Sequence, residues 1–136
     1  MDVVEMNYLA VAVGMVISVA FGALWFSPLV AGRAWMAAIG KTREQVEKDF
    51  SPLNIVWAAI CGFVISYGLA RLIVFTGWNT PLGGLQLGLL TAITLVAAAI
   101  AVNHVFEKRP VGLTVNYALH HLFEFGLVGL LLGAWL

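Results

Sequence analysis

The sequence predicts an all-α protein, a four-helix transmembrane bundle with a short interfacial helix between spans one and two. Three observations predict it. Hydrophobic residues make up 62% of the 136 residues and charged ones only 10%, with mean hydropathy +0.97. Soluble domains run nearer 45–50% apolar and about 25% charged, and a domain this small has too little interior to hide such an excess from water. Four apolar runs, at about residues 7–26, 53–75, 82–106 and 113–135, each have the roughly 20 residues that cross ~30 Å of hydrocarbon as a helix. The runs lack the dyad alternation of membrane strands, and in lipid a helix satisfies every backbone amide within its own segment.

The first run begins with Asp2 and Glu5 and no Lys or Arg, and it ends in Trp25-Phe26-Ser27-Pro28. A cleaved signal needs a positive start and a small-residue cleavage site, so the run is expected to stay in the membrane. Pro28 ends the helix. Leu29, Val30, Ala34, Trp35, Ala38 and Ile39 then form an apolar stripe, which predicts the interfacial helix, and Gly40 stops it. Thr42 and Gln45 have capping-box spacing and open a brief charged helix to about Asp49. Ser51-Pro52 supplies an N-cap and a proline at the first helical position for span two. Loops 27–52 and 107–112 complete a single domain, 1–136, with no strong internal repeat.

Arg33, Lys41, Arg43, Lys48, Lys108 and Arg109 all lie in those two loops, against Arg71 alone on the other side. The positive-inside bias puts the loops in the cytoplasm and both termini outside it. Trp78 and Trp135 are then expected at the outer interface, and Trp25, Trp35 and Trp57 at the inner one. Arg71 is expected to snorkel outward, toward Asp2 or Glu5. Seven basic residues balance seven acidic ones, so no basic face neutralises phosphates and nucleic acid is not an expected partner. Cys61, a lone cysteine, forms no intrachain disulfide.

Small residues recur at four-residue spacing: Gly14, Ser18 and Gly22; Ala58, Gly62, Ser66 and Ala70; Gly84, Gly88 and Ala92; then Gly129 and Gly133 in span four. Without a hydrophobic drive between helices in lipid, such stripes predict close backbone packing, and a homo-oligomer is expected.

Span four carries the unusual chemistry. Asn116, His120 and Glu124 fall at i, i+4 and i+8 on one face, with His121 beside them. Glu124 lies roughly 16 Å up the helix from Leu113, near the bilayer midplane. A carboxylate there costs at least ~2.5–3.5 kcal/mol to insert, so it must face the bundle, a partner chain or water. Four readings stand beside one another: interhelical hydrogen bonding, a proton or ion path relayed by His120 or His121, metal binding with His104 added, and bis-histidine haem with His104. The last two lack matching ligands on other spans or a common depth, so no metal or cofactor is expected. Asn103 and His104 end span three beside Glu107, Lys108, Arg109 and Pro110, and are expected to face Asn116 and His120 across the short turn.

Trp25-Phe26-Ser27-Pro28 with Gly32 and Trp35, then Asn103-His104-Val105-Phe106-Glu107-Lys108-Arg109-Pro110, then Asn116 through His121 and a glycine-rich end at Trp135, resemble a family of small bacterial membrane proteins catalogued as domain of unknown function 1761. The resemblance covers essentially the whole chain and implies an integral protein of a bacterial inner membrane, without an activity. The residues themselves point to a small transporter or channel with a mid-membrane protonatable site, drawing on Glu124, His120, His121, Asn116, Asn103 and His104 and acting on a proton or small ion. The alternative is a structural or regulatory membrane subunit. An enzyme is not expected: the sequence holds no nucleophile elbow, phosphate loop or metalloprotease signature.

Overall fold

A computed structural model describes residues 5–136; Asp2, offered above as a partner for Arg71, lies outside the described residues. Six helices follow one another: α1 (Tyr8–Trp25), α2 (Gly32–Ile39), α3 (Arg43–Asp49), α4 (Pro52–Thr76), α5 (Pro81–Phe106) and α6 (Val111–Trp135). No strand occurs among the described residues.

Local side chains start these helices. Asn7 accepts from the Ala10 amide at 3.1 Å to open α1. Thr42 and Gln45 form the expected capping box of α3, and Ser51 and Asn54 form a second at α4. Thr80 accepts from the Gly83 amide at 3.0 Å to open α5. Gly40 and Gly77 stop α2 and α4 in the left-handed region, at φ of 69° and 71°, where only glycine sits without strain. Helices α1, α4, α5 and α6 are each long and apolar enough to cross a membrane, and the chain is a multi-pass membrane protein.

Two local features differ from the expectation. The interfacial helix starts at Gly32, and residues 27–31 form turns instead, because the Ser27 hydroxyl donates to the Leu24 carbonyl at 2.6 Å. Leu29, read as part of the apolar stripe, is therefore 86% exposed in a turn. Span three is interrupted: residues Ala92–Ala97 are π-helical. Thr91, just before the break, donates to the Leu87 carbonyl at 2.9 Å, and Thr94, within it, to the Leu90 carbonyl at 2.7 Å, bonds that compete with the backbone ladder where the break begins.

Helix α6 is the axis, and α1, α4 and α5 pack around it. The end carrying the termini is closed. Asn7 donates to the Trp135 carbonyl at 3.3 Å. Helices α5 and α6 meet backbone to backbone there: a Cβ on Gly84 would run into the Gly129 carbonyl, one on Gly88 into the Phe125 carbonyl, and one on Gly133 into the Thr80 carbonyl. Between α1 and α4, Gly14 lies against Ser66 and Gly62 against Ser18, and the Ser66 hydroxyl donates to the Val11 carbonyl at 2.9 Å. Val11, Leu69, Ile73, Val128 and Leu132 fill the same half as a dry core.

The opposite end, which carries the basic loops, is open. Helix α4 has no buried residue before Gly62, and α5 has none after Ala92. Cavities lie on either side of α6 at this end, one against α1 and α4 and one against α5. Gly84→Val and Gly88→Val are expected to lower stability by about 1–3 kcal/mol through overpacking. Gly68→Ala, with nothing within 4 Å of its Cβ position, does not lower it, since alanine is the better helix former. Unfolding in mixed detergent micelles measures both.

Candidate functional site

Glu124 stands about 20 Å along the axis from Val111, in the middle of α6. It is 4% exposed. Its Oε2 lies 2.9 Å from His121 Nδ1, one turn back, and 3.9 Å from His120 Nδ1. The Glu124–His121 contact is a hydrogen bond between the carboxyl and the imidazole, one turn apart on the same helix. Three donor atoms of His120, His121 and Glu124 lie within 4.8 Å of one another, a spacing that also suits a metal ion.

The His120 ring is held by aromatic neighbours from α1 and its C-cap: stacked on Phe21 at 5.6 Å, with Phe26 at 4.9 Å and Trp25 at 6.2 Å between centroids. Its Nε2 has no hydrogen-bond partner among the described residues, and neither does the Ser18 hydroxyl. Both atoms are buried, a position in which polar groups ordinarily have a partner.

Two cavities meet at the histidines. The first, about 350 Å³, lies between α1, α4 and α6; its exposed surface is mainly apolar, and Ser18, Asn54, Cys61, His120, His121 and Glu124 are among the residues around it. The second, about 480 Å³, lies between α5 and α6 at the basic end. Asn103, His104, Glu107, Tyr117, His120 and His121 give it a polar wall. His120 and His121 belong to both.

The sequence-predicted residues therefore divide. Glu124, His120 and His121 come together as one group, and Asn103 and His104 face the same histidines across the second cavity. His104 itself bonds Thr114 at 2.8 Å and packs on the Tyr117 ring. Asn116 stands apart: its Oδ1 accepts from Trp25 Nε1 at 3.0 Å and its Nδ2 donates to the Ala31 carbonyl at 3.4 Å. With Trp35 Nε1 donating to the Tyr117 hydroxyl at 3.2 Å, it ties the α1–α2 turn onto α6. Arg71 is exposed and has no ion pair among the described residues. The ion pairs Lys41–Asp49, Arg43–Glu47 and Arg109–Glu107 are exposed and contribute little to stability.

Sequence reasoning missed the aromatic cage. Its signal was present: Phe21 and Trp25 are four apart, hence on one face of α1, the spacing that presents two rings to a neighbouring helix.

Fold and site together define a multi-pass membrane protein with one buried carboxyl held between histidines. The chain belongs to the family described as Protein of unknown function (DUF1761), whose model matches residues 9–133. No curated protein and no solved structure matches it.

Asn116→Leu removes both bonds to the α1–α2 turn and leaves the Trp25 N–H without a partner. It is expected to lower stability by about 0.6–1.7 kcal/mol, the range of interhelical hydrogen bonds in membranes. Thermal unfolding in micelles, followed by tryptophan fluorescence, checks this; an unchanged midpoint would show that the turn is held by packing alone.

Proposed function

We propose that this protein is a small carrier or channel of the bacterial inner membrane, in which Glu124 and His121, with His120, take up a proton from the cytoplasmic side. The observation that carries this reading is that His120 and His121 line both cavities, so the imidazoles stand between the polar cavity and the carboxyl. Six of the seven basic residues sit in the two loops at the open end, which supports a cytoplasmic location for that end and an outward one for both termini.

The chemistry follows from the order of groups. Glu107 and Asn103 are exposed at the mouth, His104 lies half-buried behind them, and the paired histidines follow before Glu124. Imidazole binds a proton on one nitrogen and releases one from the other, which suits it to pass protons between a wet cavity and a buried carboxyl. Beyond Glu124 the dry core of Val11, Leu69, Ile73, Val128 and Leu132 closes the route. A site open to one side only is one of the two states that alternating access needs. Self-association belongs to the same proposal, supported by the free half of α4, where residues 52–61 have no buried side chain. The second reading, a structural or regulatory subunit without transport, draws on the same dry core, which interrupts any continuous polar path.

The test is proton flux into liposomes under a pH gradient, with potassium and valinomycin compensating charge. The wild type is expected to acidify the lumen faster than empty vesicles. Glu124→Gln is expected to return the rate to that of empty vesicles while the protein remains folded. Wild-type vesicles as tight as empty ones would overturn transport and leave the subunit reading.

A further inference from the structure

The proton reading makes no use of the first cavity. Its volume, about 350 Å³, falls within the range of about 300–1,000 Å³ typical of small-molecule sites. Val19, Ala23, Ile55, Ala58 and Ile65 make its walls apolar, and Glu124 is the only acidic side chain among them. Two unpartnered polar atoms, Ser18 Oγ and His120 Nε2, belong to residues of the same wall that are 5% and 7% exposed. His120 Nε2 lies against Gly22 of α1, 3.6 Å from where a Cβ would stand, so the carboxyl of Glu124 is the polar group that selects the ligand.

We infer that this cavity binds a hydrophobic monovalent cation, an aromatic or alkyl ammonium, against the Glu124 carboxylate. The inference rests on the reading in which Glu124 takes up a proton, and it names a ligand that competes with that proton for the carboxylate. Charge decides among the ligand classes. One carboxylate balances one positive charge, so a monocation leaves the site neutral. A divalent metal on two neutral imidazoles and one carboxylate leaves a positive charge facing apolar walls, and an uncompensated buried ion costs several kcal/mol. An anion meets repulsion. A neutral apolar molecule gains nothing from a carboxyl whose insertion is itself unfavourable.

Shape agrees with charge. The apolar body of an organic cation matches the walls, whereas a hydrated inorganic ion does not. Phe26 lines the cavity and Phe50 stands at its basic end, where ring faces attract a passing cation. Access runs between α1 and α4, because α4 is unburied before Gly62. Cation binding releases the proton of Glu124 to the histidines and on to the second cavity, and cation release returns it, so charge is conserved in both directions. The titratable groups around the carboxyl are His120 and His121 on its own helix and Cys61 on α4. Helix α1 faces it with Ser18, Gly22 and Phe26, and α5 meets this stretch of α6 with Leu85, Gly88 and Leu89, none of them ionisable.

The experiment measures equilibrium binding of benzyltrimethylammonium, whose charge is permanent, to the full chain in detergent micelles. Saturable binding is expected, weakening as pH falls because a proton then occupies the carboxyl. Glu124→Gln is expected to weaken it about tenfold or more through loss of the only close counter-charge. Ala58→Phe fills the cavity from an exposed position on α4, leaves the carboxyl in place, and is expected to abolish binding with an unchanged melting temperature. This second variant decides the matter if Glu124→Gln fails to fold. No binding beyond that of empty micelles overturns the inference, as does full binding by Ala58→Phe. Stoichiometric zinc binding lost in Glu124→Gln, with no ammonium binding, replaces it with a metal site. Flux that depends on Glu124 without ammonium binding removes the substrate class and keeps the proton reading; binding without flux does the reverse.

Discussion

The bundle is organised by the need to keep one carboxyl group away from hydrocarbon. Glu124 sits at mid-helix, where insertion costs at least ~2.5–3.5 kcal/mol, and the cost persists unless the side chain finds polar partners inside the protein. Its answer is local: His121, one turn earlier on the same helix, is 2.9 Å away. A pair on one helix has no preferred neighbour, so the helix itself must be central. Helix α6 meets that demand, with Leu113, Asn116, His120, Glu124, Val128 and Leu132 all buried along its length.

Centrality has a packing consequence. A helix surrounded on several sides in lipid is held by close approach, since no hydrophobic force drives helix association there. Glycines at 84, 88, 129 and 133 let α5 lie directly on α6 at one end. These glycine contacts reach as far as Gly88, and the π-helical segment Ala92–Ala97 follows them along α5. Single π-helical turns concentrate at functional sites, and this one flanks the level of the histidines. The molecule is thus tight where it is dry and loose where it is polar, and the titratable group marks the boundary.

Much of this was legible in the sequence because it is local. Span lengths follow from hydropathy, and the caps at Thr42 and Ser51 follow from side chains that reach only three residues. The group of Glu124 with two histidines was legible for the same reason, being confined to a single helix. What depends on partners was not. Asn116 shares a nominal face with Glu124, yet each four-residue step turns the side chain by about 40°, so it points about 80° away. That rotation takes it to the α1–α2 turn instead of the cavity. Likewise the glycine stripes announce close approach without saying which pairs meet, and the π segment coincides with threonine hydroxyls bonding back to the preceding turn, which apolar periodicity does not register.

The central claim concerns the surroundings of one carboxyl, and infrared spectroscopy reads them directly. The wild-type minus Glu124→Gln difference spectrum, recorded at acid pH in reconstituted membranes, should contain a carboxyl C=O stretch at the frequency of an apolar, singly hydrogen-bonded site. In D2O the band should shift down, as expected for a group in proton exchange with the open cavity. A band at the frequency of a fully hydrated carboxylic acid would contradict the account, because Glu124 would then lie in water and neither its histidine partner nor the dry half of the bundle would matter to it.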